Sequence, residues 1–400
     1  MKVLLINDYG TPNGGAELQM LAIRRDLMAR GHEVRLFASD ATLVHGYPNA
    51  ADRTAKGRTD LGQVLTQAVN PWAWAALRRE LADHPPDMVH IRMFLWQLSP
   101  VILPLLRNVP VLYHAAVHKA VCPTGLKLLP DGTSCPHRPG RVCYREGCTA
   151  PITWTATMTQ LALLRRWRSC IDQLAVLSEP MRAAFEAEGW TDVAVEGNGI
   201  DLVALRGPLT DPPVVVYGGR LAREKGVETL LDAFSRLRDR HPTARLLIAG
   251  TGPSEPALRQ RAAPMGDAVA FLGHLSRERM EEVFATAWVQ VVPSLWHEPF
   301  GNVSTEAMAR GTAVIASDMG GQRTIVADGE TGFLVPPGDV RALSDRLDRI
   351  LGDRDLAERL GRAGRHRAET VFSRARVMDR IEALYDRTIA RHGAGKAVLA

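Results

Sequence analysis

A strand, a glycine turn and a helix, repeated in that order and then restarted after a proline-rich break, constrain this chain more than any other feature. Residues 3–7 form a short apolar run, and residues 10–15 (GTPNGG) are turn chemistry. Residues 16–30 then place Leu18, Leu21, Ala22, Leu27 and Met28 at helical spacing before Gly31 stops the helix. The next strand is expected at 34–38, with others at 87–91, 109–114 and 171–177. Residues 207–213 (GPLTDPP) hold three prolines and a glycine and read as a linker. Beyond them the rhythm resumes, with strands expected at 214–217, 245–249, 269–272, 289–292 and 313–316. Helices are expected at 226–240 and 277–287. Strands alternating with helices imply parallel sheets with right-handed crossovers, so the fold class is α/β with two Rossmann-like domains. The division expected is 1–206 and 207–373, with a last helix at about 374–391 packing back onto the first domain.

Composition sets the class. Four hundred residues exceed one typical core. A 46% hydrophobic and 23% charged chain belongs to ordinary globular proteins rather than to disordered or fibrous ones. No apolar run approaches the roughly 20 residues that span a bilayer, and Asp8 interrupts the first run too early for a secretory leader. A cytoplasmic protein is the expectation, with peripheral contact to the inner face of the membrane as the alternative. With 49 lysines and arginines against 44 acids the chain is only mildly basic. These residues are scattered among acids rather than gathered in a stripe with aromatics, which argues against nucleic-acid binding.

The densest chemistry lies in residues 293–321, PSLWHEPFGNVSTEAMARGTAVIASDMGG. Glu298 falls in a loop after a strand, and Glu306 lies eight residues later on a helix that Asn302 is expected to cap and Gly311 to stop. Between them Phe300, Gly301 and Asn302 offer backbone N–H groups at a helix start, an anion site. Carboxylates accept hydrogen bonds from sugar hydroxyls while amides face phosphate, a combination suited to a nucleotide sugar. A surface loop followed by an ordinary helix is the plainer alternative. In residues 217–226 (YGGRLAREKG), Arg220 and Lys225 flank a helix entrance, where two cations can neutralise a departing diphosphate. Gly14 and Gly15 open the first long helix, but the spacing G-x-G-x-x-G is missing there.

Taken together, these residues resemble the retaining family-4 glycosyltransferases of GT-B architecture. The segments that carry the likeness are the Glu298/Glu306 pair in E-x7-E spacing, GGRLAREKG, LLIAGTGP, FLGHLSRE, GETGFLVPPGD, SEPMRAAFEAEG and NGID. The resemblance implies two parallel-sheet domains facing across a cleft, an acceptor-side domain first and a nucleotide-sugar donor domain second. It implies transfer of a hexosyl group from a nucleotide-diphosphate sugar, UDP-sugars being favoured, to a hydroxyl of a saccharide or lipid-linked glycan. A small natural-product acceptor, or a nucleotide-sugar isomerase of the same architecture, is the alternative. By similarity Glu298 meets the transferred sugar and Glu306 the ribose, Arg220 and Lys225 hold the diphosphate, and Gly14, Gly15 and Gly252 line the donor site. No metal or other cofactor serves catalysis, because the two cations and the helix dipole supply the positive charge. Two positions differ from the family pattern. Thr324 stands where many relatives carry a glutamate, and Ala116 stands where a histidine is usual. His114 and His118 flank Ala116 on one face of an extended segment, so both are candidates to act near the sugar.

Two stretches add expectations. Cys122, Cys135, Cys143 and Cys148 follow the spacing C-x12-C-x7-C-x4-C, open to structural zinc, to reduced thiols packed in a loop, or to a disulfide. Residues 161–168 (LALLRRWR) combine an apolar run with three arginines, suited either to peripheral membrane contact or to an amphipathic helix with a solvated basic side.

Overall fold

The computed structural model describes residues 1–12, 14–43 and 46–399, with the side chains of 277 and 395–399 left aside. The chain divides into two compact units. The first comprises Met1–Pro130, Cys135–Gly197 and Val377–Ala400, and the second Asp131–Ser134 and Asn198–Arg376.

The first unit contains a seven-stranded sheet of β1 (Lys2–Tyr9), β2 (Glu33–Ser39), β3 (Arg53–Ala55), β4 (Met88–Ile91), β5 (Val111–Ala115), β6 (Gln173–Val176) and β7 (Val193–Val195). Its order is β3-β2-β1-β4-β5-β6-β7, and every neighbouring pair is parallel. β4, β5 and β6 are buried along their whole length, so their sequences do not alternate, and the polar His90, His114 and Gln173 are buried with the apolar residues. The order reverses at β1, whose carboxyl end is thus a switch point where α/β sheets hold ligands. The last helix, Arg374–Leu399, does return to this unit. Val377, Met378, Ile381, Leu384 and Tyr385 complete a core with Val3, Leu5, Ile23 and Leu36. Inside that core Tyr385 OH lies 2.8 Å from His90 Nδ1.

The second unit has a six-stranded sheet of β8 (Val214–Gly218), β9 (Arg245–Ala249), β10 (Val269–Gly273), β11 (Val289–Val292), β12 (Ala313–Ser317) and β13 (Gly332–Val335), in the order β10-β9-β8-β11-β12-β13. Every neighbouring pair in it is parallel. Helices Val227–Ser235, Val340–Leu351 and Arg354–Arg367 bury Leu230, Phe234, Leu347 and Leu360 against it. The boundary falls at Asn198 rather than at 207, because residues 200–206 are bound into the second unit. Ile200 bridges Ser373, Asp201 pairs with Arg374 at 2.7 Å, and Arg206 Nε donates to the Gly311 carbonyl at 3.0 Å. Nor is 207–213 a free linker. Leu209 is buried in the core, its N–H donates to Glu358 at 2.9 Å, and the Thr210 carbonyl accepts Trp288 Nε1 at 2.9 Å.

Candidate functional site

The loop between β11 and the helix Asn302–Arg310 is held by backbone against backbone. A side chain at Gly321 would meet the Phe300 carbonyl oxygen at 2.0 Å, and one at Gly320 would meet Glu298 N and O at 2.6 Å. Gly321 N–H in turn donates to the Glu298 carbonyl at 2.8 Å. Only a paired glycine lets the chain after β12 approach this closely. The carboxylate so presented is 93% buried by residue, since Glu298 keeps 7% exposure. Its Oε1 takes the Lys225 ammonium at 2.5 Å and the Ser294 hydroxyl at 2.7 Å, while Oε2 accepts Gln322 Nε2 at 3.1 Å. Burial acts to raise its pKa, but the Lys225 charge and the three hydrogen bonds outweigh it and hold the carboxyl below its ordinary value. Lys225 Nζ also stands 5.3 Å from the centre of the Trp296 ring. Ser294, Trp296 and Gln322 surround this pair, and sequence patterning does not mark them.

Arg220 lies on another part of the same unit. Its guanidinium pairs with Glu224, and the Tyr217 hydroxyl fixes its loop by donating to the Arg220 carbonyl at 3.0 Å. Gly219, Arg220, Gly250, Thr251, His274 and Leu275 line a cavity of about 380 Å³ at the carboxyl ends of β8, β9 and β10. The dimension suits a nucleotide fragment. Gly252 packs tightly behind this wall, a side chain there meeting the Leu221 carbonyl oxygen at 2.3 Å. Gly301, not Asn302, is the residue before the first helical turn. Asn302 begins the helix, and its side-chain oxygen accepts Asn198 Nδ2 at 2.9 Å. The helix therefore keeps a bare N-terminus, as expected for an anion site, but without an asparagine cap. Glu306 lies beyond the first turn and is half-buried. The Phe300 ring points into the core edge-on to Phe372, with 5.9 Å between ring centres, so only its backbone is available.

In the first unit, Gly14 precedes the helix Gly15–Ala29 in extended conformation, and Glu17 in its first turn is buried, which raises its carboxyl pKa. Asp8, at the carboxyl end of β1, is fully buried and accepts the N–H groups of Trp96, Gln97 and Leu98 at 2.9, 2.7 and 3.1 Å. Burial dominates, and its pKa is pushed up to about 6. The two histidines do not share an accessible face. His114, on β5, is 0% exposed, with Nδ1 3.1 Å from the buried Arg92 guanidinium and Nε2 2.8 Å from the Glu196 carbonyl. Burial holds its pKa well below the ordinary value, which favours the neutral imidazole between its two buried partners. The strand ends at Ala115, and His118, 3% exposed, starts a 3-10 turn instead of continuing the alternation.

Two family models match this chain. Glycosyltransferase Family 4 matches residues 13–203, and Glycosyl transferases group 1 matches residues 206–367. The chain belongs to glycosyltransferase family 4. A phosphatidyl-myo-inositol mannosyltransferase of Mycobacterium leprae is 29% identical over 88% of this chain and 87% of its own length. Against glycogen synthases of Mycobacterium tuberculosis the match is 36% identical over 216 residues, and the chain spans about half the length (52%) of those relatives. Among solved structures, the sucrose-phosphate synthase of Thermosynechococcus elongatus superposes with a TM-score of 0.73 at 26% identity, covering 98% of this chain and 99% of that one. The Anabaena protein HepE in complex with UDP-glucose gives 0.68 at 21% identity, covering 96% and 99%. The fold is GT-B.

Two further stretches of this family-4 chain fall within the alternatives their sequence leaves open. Its four loop cysteines are free thiols, and among the described residues no three histidine, cysteine or acidic side chains are grouped to hold a metal ion. They bond locally instead. Cys122 Sγ accepts the Lys127 N–H at 3.4 Å and lies 3.3 Å from Thr124 Oγ1, while Cys135 Sγ contacts the His137 carbonyl at 4.0 Å. The basic stretch at 161–168 ends the helix Pro151–Trp167 with Leu161 and Leu164 buried, so its apolar side faces the core, and Arg165 and Arg168 stand outside. No helix among the described residues is long and apolar enough to cross a membrane.

Proposed function

We propose that this chain transfers a hexosyl group, with retention, from a nucleotide-diphosphate sugar to a hydroxyl of a saccharide or lipid-linked acceptor. The observation that carries this is the anionic Glu298 carboxylate, paired with Lys225 and braced by Ser294 and Gln322 beside the bare start of the helix Asn302–Arg310. A carboxylate kept charged in a desolvated loop can accept hydrogen bonds from two sugar hydroxyls and so hold the pyranose in one orientation. As the glycosidic bond breaks, negative charge grows on the diphosphate. Lys225, Arg220 and the helix N-terminus supply positive charge for it, the task that other transferases give to a divalent ion. Attack by the acceptor on the face the diphosphate leaves keeps the anomeric configuration, and the departing phosphate oxygen takes the acceptor proton. The cavity beside Gly219, Gly250 and His274 is assigned to the nucleotide. UDP is the nucleotide proposed, supported by the UDP-glucose complex of the fold neighbour.

Thermal-shift titration with UDP-, GDP-, ADP- and TDP-sugars tests this, because a ligand of the folded state raises the midpoint by mass action. UDP-sugars should raise it most, and turnover with the best donor should be unchanged by EDTA. No shift with any nucleotide sugar would remove the proposal.

A further inference from the structure

The first unit holds a second, larger cavity, of about 650 Å³, at the carboxyl ends of β4 and β5. Trp96, Lys119, Gln63, Gln67, Thr124 and Thr153 are among its walls. We infer that this cavity is a subsite for a neutral pyranose unit of the acceptor, with the Trp96 indole as its platform. The inference rests on the transferase function proposed above and names the acceptor chemistry of the first unit.

The wall is built rather than incidental. Trp96 follows β4 in a segment whose three successive N–H groups are held by the buried Asp8 carboxylate. Lys119, only 2% exposed, stands 4.0 Å over the centre of the indole ring, and its ammonium donates to the Pro123 carbonyl at 2.5 Å. A lysine buried this far would normally be a liability. Here the aromatic face, a carbonyl and the field of Asp8 compensate it, although burial still brings its pKa down to about 8. The indole is thereby fixed in one pose at the cavity wall. Glycine at 125, with φ of 76°, brings backbone to the ring edge, a side chain there lying 3.4 Å from it.

The chemistry around the ring is that of a sugar site. The C–H-rich face of a pyranose packs on an indole, and its hydroxyls need uncharged amide and hydroxyl partners, which Gln63, Gln67, Thr124 and Thr153 provide. A phosphate or carboxylate ligand would call for a cluster of cations. Lys119 is the one cation among the wall residues, and the acid at the rim, Asp60, is already paired with Arg58 at 2.6 Å.

Titration calorimetry of the whole protein with maltotetraose and with an α-mannotriose tests the assignment, with UDP-glucose titrated in parallel. At least one oligosaccharide should bind the wild type. Trp96→Ala should weaken it about tenfold, the order expected for losing one aromatic contact. Trp96→Phe should recover part of the loss. Thr153→Tyr, which fills the cavity from its rim without touching the Asp8 network, should block binding while leaving the thermal midpoint and the UDP-glucose affinity unchanged. In turnover, the acceptor KM should rise with little change in kcat. Oligosaccharide affinity within twofold of wild type in both Trp96→Ala and Thr153→Tyr would overturn the inference. So would the absence of oligosaccharide binding in a protein that binds UDP-glucose, and that outcome leaves the transferase function standing. Failure of every nucleotide sugar to bind would remove both.

Discussion

Two buried carboxylates, one in each unit, show how neighbours rather than burial decide what an acid can do. Glu298 and Asp8 are both withdrawn from water, Glu298 in the loop after β11 and Asp8 in the last residues of β1. Glu298 has an ammonium at 2.5 Å, and its pKa is lowered. Asp8 has three backbone amides and only a more distant lysine, and its pKa rises to about 6. Amides alone do not offset the desolvation of a full charge, whereas a contact cation does. The first acid is kept ionised where a ligand can meet it. The second is spent on holding the chain around Trp96.

The sharpest break of this contrast is at the charged pair. Glu298→Gln and Lys225→Ala should each lower turnover on the order of 10²–10³-fold, the usual loss for one preorganised electrostatic partner. Steady-state rates with saturating UDP-sugar measure it. Values within a few-fold of wild type would mean that the pair is only structural.

The next effect is on stability against pH. Asp8 has a folded pKa above its unfolded value, so its stabilising contribution is full in acid and is lost as pH rises through about 6. A rise from 3.8 to about 6 corresponds to about 3 kcal/mol between pH 3 and pH 7. Urea unfolding across that range should show Asp8→Asn with a flatter profile than wild type, and an unchanged slope would refute the shift.

His114 should behave as the opposite of Glu298. His114→Ala should cost roughly 1–3 kcal/mol by stranding the Arg92 and Glu196 partners, with kcat within a few-fold of wild type in the protein that folds. A large kcat loss at unchanged stability would return this residue to the catalytic set. Smallest is the ranking of thiols. In native protein a maleimide should label the half-buried Cys135 and Cys148 before the buried Cys122 and Cys143. Equal rates for all four would contradict the packing.

Much of this was legible from residue order because parallel strands covered on both faces read as unbroken apolar runs. β8, β9 and β11 fall where that pattern puts them. β3 and β7 are three residues long, too short for any period to register. Glu298 and Lys225 were legible because each sits in a short glycine-bearing segment with its own local pattern, although 73 residues separate them. What escaped notice depends on distant partners. Asp8 becomes an anchor only because 88 residues later Trp96 turns its N–H toward it. The clue was present as a charged residue closing an apolar strand. The shared face expected for His114 and His118 is absent for a similar reason, since alternation along an extended segment is void once β5 ends at Ala115.

The return of the last helix has a consequence for how the molecule is made. Ile381, Leu384 and Tyr385 fill a gap among strands formed by the first hundred residues, and His90 finds its hydroxyl partner only in Tyr385. During synthesis the amino-terminal sheet must therefore wait, with apolar surface uncovered, while the whole second unit emerges from the ribosome. A fragment ending near Gly197 would keep that wound open permanently, so the first unit is continuous in space yet cannot be obtained by cutting the chain once.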